Sequence, residues 1–530
     1  MTSGAAAGAA ADVLVLGGGH NGLVAAILAA AAGRSVTLLE RADHPGGATV
    51  GERVFAPHPV RLSRYAYLVA LMPDELIRRL GISVPLASRA VSSYTPVVRD
   101  GVATGLLVER HLGPATEQSF REVTGSGADF AAWRQLYAEI EALARVVAPT
   151  LTGPLRRRQE VADAVAAAAG AQIWTDLVEE PIGAMIESRF ADDTVRGVVA
   201  TDALIGTHTS LFADDLLANR CFLYHLIGRG TGEWLVPIGG MGAVSDALVR
   251  RARELGVEIV CGAEVLAVEE SGSAVTVTGT RDGAEFTRSA PHLLAAIAPA
   301  VLDRCLGRET DDPVGAQLKI NMLLDRLPRL KSGVDPRVAF AGTMHLNEEL
   351  SELEAAYAIS RSGTLPAVVP SEVYCHSLTD PTIMNGHPGA TLTLFGLHTP
   401  VDLFRTDPGA ARAAAAQAAL IALQKHLAEP LLDCLARDAD GEPCVDIASP
   451  VDLEGSLNMP GGNIFHDDLS WPWLADGFPV DGPAAAYGVE VPGSRRILLA
   501  GAGSRRGGGV SGLGGAAAVD ALLEMTGGTT

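Results

Sequence analysis

Apolar and polar positions fall into short blocks along the chain, and the first blocks already set a topology. Asp12 to Leu16 (DVLVL) has the length and β-branched, Leu-rich composition of a central parallel strand. A glycine-rich turn follows. Leu23 to Ala32 then reads as an alanine-rich helix ended near Gly33, and Ser35 to Leu39 (SVTLL) as a second strand that stops at Glu40. Together they form one βαβ unit.

From about Leu80 to Arg229 the pattern turns mostly helical, as in GADFAAWRQLYAEIEALARVVA, and predicts an inserted cap. Trp234 to Leu294 returns to the sheet-bearing domain through the turn PIGGMG, an amphipathic helix from Ala243 to Leu255, a strand around Val257 to Val260, and the alternating runs AEVLAVEE and SAVTVTGT. About Gln317 to Glu490 mixes strands (LKINMLL, ATLTLFGL) with a long helix from Gly409 to Leu427. RRILLAGAG then runs as a buried strand into a glycine-rich loop and the helix Ala516 to Met525. The expected fold is α/β. A discontinuous Rossmann-like domain (10–80, 234–300, 491–530) carries a helical cap or substrate region (81–233) and an inserted α+β substrate domain (301–490).

Composition narrows the function classes. A chain of 530 residues exceeds what one core supports, and 48% hydrophobic with 19% charged residues is globular. A balance of 41 basic against 62 acidic residues, net −21, repels nucleic acid, so no nucleic-acid partner is expected. The six cysteines form no Cys-x-x-Cys pair, so neither a metal site nor a redox disulfide is expected, and a reducing cytoplasm fits. The opening MTSGAAAGAA lacks the basic start of a secretory signal, and order is expected to begin only after it. Val13 to Gly33 is apolar enough to suggest a membrane span, but His20, Asn21 and five glycines suit a buried strand and helix better.

The chemistry gathers at the glycines. Gly17, Gly19 and Gly22 form G-x-G-x-x-G directly after a strand and at the opening of a helix, with His20 and Asn21 between them. They serve a tight turn, close backbone approach to a pyrophosphate, and close packing of helix on strand, while the helix N-terminus favours the phosphate charge. Glu40 stands at the end of the second strand, where a carboxylate accepts the hydroxyls of an adenosine ribose. Arg41 beside it would suit a 2′-phosphate, but an acidic residue at that place favours an unphosphorylated ribose. A second diglycine, Gly46-Gly47, follows a short loop and precedes Ala48; it resembles the extended flavoprotein motif, in which this loop also touches the pyrophosphate and ribityl chain.

DVLVLGGGHNGLVAAILAAAAGRSVTLLERADHPGGAT resembles the N-terminus of the phytoene desaturase-like FAD oxidoreductases, a branch of the amine oxidase and GDP-dissociation-inhibitor superfamily. LSRYAYLVALMPDELIRRLGI, LKINMLLDRLP, LNMPGGNIFH and LLAGAGSRRGGGVSGLGGAAA agree, so the resemblance runs the length of the chain. It implies FAD on a domain of the discontinuous GR2 type. It also implies that the backbone of Val265 meets the adenine edge, and that Gly501, Gly503 and the segment Gly509, Val510 to Gly512 wrap the ribityl chain and flavin. The helix from Gly514 would then direct its N-terminus at the flavin's pyrimidine carbonyl, where reduced flavin carries negative charge. Two departures stand out. Ser504-Arg505-Arg506 replaces Thr-His-Pro, making Arg505 a candidate for an anionic flavin or substrate group. Ala48-Thr49 replaces the Arg of the amine oxidases, which weighs against strict amine oxidase chemistry.

On the reacting side, dehydrogenation needs a substrate C–H held over flavin N5 and a place for the second proton. Lys319 is the leading candidate, because relatives in the wider superfamily place a Lys near N5; a strand-end surface Lys is the plain alternative. His208 and His225 are candidates for a substrate wall in the cap, against a structural reading. His466 and Asn463 belong to a family segment near the flavin, with Gly461-Gly462 permitting close backbone contact, and Trp471 and Trp473 are further candidates for the cavity. The expected partner is a small hydrophobic or amphipathic substrate. Peripheral membrane contact through its entrance and the oligomeric state stay open.

Overall fold

The structure is a computed structural model that describes residues 11–528; the opening MTSGAAAGAA lies outside the described residues. Val13–Leu16 is buried at every position, as a parallel strand covered on both faces must be. It pairs in parallel with Val36–Leu39 on one side and His292–Ala295 on the other. Ile497–Leu499 and Glu258–Val260 complete the two edges of a five-stranded parallel sheet. One sheet is thus assembled from three stretches far apart in sequence. The helix His20–Ala31 is buried from Asn21 to Ala29, packed against the terminal helix Leu513–Met525 and the helix Gly240–Glu254. Its alanines permit that crowding, and Leu23, Val24, Ile27 and Leu28 each contribute roughly 1.5–3 kcal/mol by leaving water.

A second sheet of seven strands runs in the order Val445–Ala448, Leu318–Leu324, Ala390–Gly396, Ser371–Tyr374, Thr343–Leu346, Val91–Arg99 and Val102–Glu109. It is antiparallel except where Thr343 and Met344 meet Ser93 and Tyr94. Two of its interior strands, Leu318–Leu324 and Ala390–Gly396, are buried throughout. One face rests on the helix Pro408–Gln424, and the other joins the core of the cap through Tyr374, Phe395 and Leu397.

The region 81–233 carries strands as well as the helices expected to dominate it. The hairpin Val91–Arg99 with Val102–Glu109 opens it and belongs to the seven-stranded sheet. Pro96 reads against a central strand. It is tolerated because the parallel pairing on that side ends at Tyr94, so the missing N–H forfeits no ladder bond. The helices Pro114–Thr124, Ala128–Val147, Arg158–Ala169 and Leu217–Ile227 follow as anticipated. A three-stranded ribbon, Ala263–Ser271, Ala274–Arg281 and Ala284–Ala290, precedes His292–Ala295. No helix among the described residues is long and apolar enough to cross a membrane.

Candidate active site

A cavity of about 450 Å³ lies at the carboxyl ends of the parallel strands, the place where open α/β sheets take ligands. Four strand ends supply its wall: Gly17 after the first, Glu40 after the second, Ala296 to Ala298 after His292–Ala295, and Ala502 after Ile497–Leu499. The opposite wall comes from Tyr67, Lys319 and Phe395, with Ile205, His225 and Trp234 from the cap side.

The glycines divide the work. Gly17 has φ +91°, and a Cβ there would stand 2.8 Å from the carbonyl oxygen of Ala296. A Cβ on Gly22 would stand 1.9 Å from the carbonyl oxygen of Gly17, so helix and turn close only around glycine. At Gly19 a Cβ would meet nothing within 4 Å. Nothing in the chain crowds that position, and the space beside it is open to a ligand. The second diglycine is tied in directly, since Gly46 N donates to Gly18 O at 2.8 Å and a Cβ on Gly47 would come 3.1 Å from the Cα of Gly19.

Glu40 is fixed before any ligand arrives. Its carboxylate accepts from the backbone N–H of Gly18 at 2.6 Å and of Ala42 at 2.8 Å, one on each oxygen. A carboxylate oxygen takes more than one hydrogen bond, so both remain able to accept from hydroxyls. Three buried polar atoms of cavity-lining side chains lack any partner: His20 Nε2, Asn21 Oδ1 and His466 Nδ1. Buried polar groups are costly unless paired, so this wall is built for a polar ligand. Burial pushes His20 down to about 4, helped by nearby His466, and burial alone does the same to His466. Both rings are therefore neutral at pH 7. His466 also holds φ +70°, a backbone conformation costly for a non-glycine residue and typical of functional loops. Donors, acceptors and glycine clearance together fit a flavin dinucleotide.

Lys319 is no surface residue. It is 5% exposed, and its Nζ donates to Ser63 O at 2.7 Å and to Tyr65 O, with Nζ 4.6 Å above the ring of Tyr67. Burial holds its amine well below the usual Lys range. His225 lines the cavity stacked on Trp234 at 4.8 Å, and burial pushes it down to about 4.

Fourteen of the candidate residues line the cavity: Gly17, Gly19, His20, Asn21, Glu40, Arg41, Gly47, Ala48, His225, Val265, Lys319, His466, Gly509 and Val510. Gly22, Gly46, Gly501, Gly503 and Gly512 stand behind the wall. A Cβ on Gly503 would strike Pro299 at 2.5 Å and one on Gly512 would meet Val24 at 3.0 Å, so these glycines serve packing. Gly461 and Gly462 likewise press on Pro313 and Pro450.

Two catalytic candidates fall outside the cavity. His208 bonds Ser360 at 2.9 Å and packs on Tyr357 and His398, a structural role. Arg505 lies over Phe478 at 4.9 Å and 3.8 Å from Glu490, while Arg506 is fully buried and donates to the carbonyls of Tyr487 and Leu151. Asn463 ties down Val314 and Phe465, and Trp471 and Trp473 stack on each other, none of them lining the cavity. Residues missed by the sequence reading include Tyr67, Phe395 and the run Ala296 to Ala298. The last could have been found from its place just after the buried strand HLLA, at a carboxyl strand end.

A family described as FAD dependent oxidoreductase matches residues 12–151. An uncharacterized protein of Mycobacterium tuberculosis is 45% identical over 527 residues, 97% of each chain. Pyridine nucleotide-disulfide oxidoreductase domain-containing protein 2 of Mus musculus is 29% identical over 556 residues, 95% of this chain and 92% of the mouse protein. Among solved structures, cyclohexylamine oxidase from Brevibacterium oxydans superposes with a TM-score of 0.54 at 16% identity, covering 98% and 99% of the two chains. An engineered putrescine oxidase gives 0.55 at 17% identity, covering 97% and 99%; at such identities the likeness shows the fold. The chain belongs to the FAD-dependent oxidoreductases, with FAD as its cofactor. Within that class it is homologous over its length to the mouse and mycobacterial proteins.

Proposed function

We propose that the protein is a dehydrogenase of the desaturase type, acting on an activated C–C bond of an apolar or amphipathic substrate. Bound FAD supplies a hydride acceptor at N5. The glycine wall, Glu40, His20 and Asn21 would hold the dinucleotide, and Val265 the adenine edge. The substrate would lie against Tyr67, Phe395, Ile205 and Trp234, which exclude water from the reacting carbon.

Lys319 carries this reading. Burial favours its neutral form, in which Ser63 O and Tyr65 O take both N–H groups and the lone pair is left to receive the substrate proton. The same amine occupies the face of Tyr67, where a cationic substrate would otherwise rest, and this disfavours amine oxidation. A redox-neutral isomerase working with reduced flavin is the second reading, supported by the same apolar wall. A flavin-free binding module does not suit Glu40, Gly46 and Gly47, which together keep the dinucleotide frame.

The test is anaerobic mixing of the flavoprotein with polyenes, amines and cyclic precursors while flavin absorbance is followed. Bleaching by the carbon donors alone is expected. Bleaching by amines alone overturns the desaturase reading, and isomerisation under reducing conditions without any bleaching replaces it with the second.

A further inference from the structure

Outside the cavity, the described residues contain one cluster of metal-ligating side chains. His345, Glu348 and Glu372 are 4%, 2% and 1% exposed, and one donor atom from each lies within 4.8 Å of the other two. His345 and Glu372 face each other across paired strands, and Glu348 follows in the loop after Thr343–Leu346. His345 Nδ1 stands 2.7 Å from Glu348 Oε2 and 3.8 Å from Glu372 Oε1. Donors around a tetrahedral cation with bonds of about 2.1 Å stand about 3.4 Å apart, a value the two distances straddle.

A second observation points to a ligand. Glu348 Oε1 is buried and without a hydrogen-bond partner, although its residue is sealed from water. Thr201 donates to Glu372 Oε1 at 3.4 Å, and Tyr374 donates to the other Glu372 oxygen.

We propose that His345, Glu348 and Glu372 bind one divalent first-row transition-metal ion, zinc or manganese by donor chemistry, independent of the flavin. One imidazole nitrogen and two carboxylate oxygens suit such borderline ions better than calcium or magnesium. The ion pins the seam between the sheet and the cap. There the cap helix Asp193–Ala200 presses so closely that a Cβ on Gly197 would stand 1.6 Å from Glu348 O. The site lies just behind the substrate wall, since Phe395, the strand partner of Glu372, lines the cavity. Its role is to hold that wall, not to touch substrate.

The test is elemental analysis of the untagged flavoprotein, grown with zinc and manganese, beside its thermal unfolding before and after chelator. About one equivalent of metal per chain is expected, with a lower Tm after stripping that zinc or manganese chloride restores. Glu348→Gln and Glu372→Gln should each retain under about a tenth of the metal while keeping full FAD content. Should the variants not fold, the wild-type metal content and its Tm response decide alone. Metal-free wild-type protein whose Tm ignores both chlorides overturns the proposal.

Discussion

The two walls of the cavity are built in different ways. On the cofactor side the ligand meets backbone: Gly17, Gly19, Gly47 and Gly509 present chain without side chains, and the one fixed carboxylate, Glu40, is itself held by backbone N–H groups. On the substrate side the ligand meets side chains, Lys319, Tyr67, Phe395 and Trp234, brought together from strands and loops remote in sequence. The first wall is a local motif whose turn leaves no room for a Cβ at Gly17 or Gly22. The second is a product of packing and can change its residues without changing the fold, so one fold can serve different chemistries.

Substitutions separate the two walls. Gly22→Ala should have the largest effect, because its Cβ has nowhere to go against Gly17 O; a loss of about 3 kcal/mol in urea unfolding is expected, with colourless protein. Gly19→Val tests the opposite property of the same motif. The fold should survive while FAD affinity drops at least about 100-fold in a fluorescence titration, and undiminished flavin binding would mean that this wall faces no ligand. Lys319→Met addresses the other wall. FAD should remain bound, while the rate of flavin reduction by a bleaching substrate falls about 100-fold in stopped-flow.

Smaller effects sharpen the picture. Glu40→Ala removes the ribose acceptors and leaves the N–H groups of Gly18 and Ala42 unpaired, so FAD affinity should weaken by about tenfold to thirtyfold. Acid should act through His466. A base whose folded value is depressed from 6.5 to about 4 leaves stability intact above 6.5 and costs it as pH falls toward 4, because the unfolded chain takes up the proton first. His466→Gln should therefore flatten the fall in unfolding free energy across that window, by at most about 1.4 kcal/mol per pH unit in urea unfolding. An unchanged slope would show that this ring is not buried neutral.

The sequence by itself determined the dinucleotide frame. DVLVLGGGHNG, the carboxylate at residue 40 and the second diglycine are short-range features, and strand periodicity, a left-handed glycine and a strand-end acid mean the same thing in any compact surrounding. Only the tertiary structure decided the rest. Lys319 became a buried amine, and Arg505 and Arg506 became packing residues, because a side chain's chemistry depends on which distant carbonyls and rings surround it. The strand Val91–Arg99 was concealed for the same reason: Pro96 is acceptable only where no neighbour asks for its N–H, and the identity of the neighbour is settled by the sheet, not by the residues on either side.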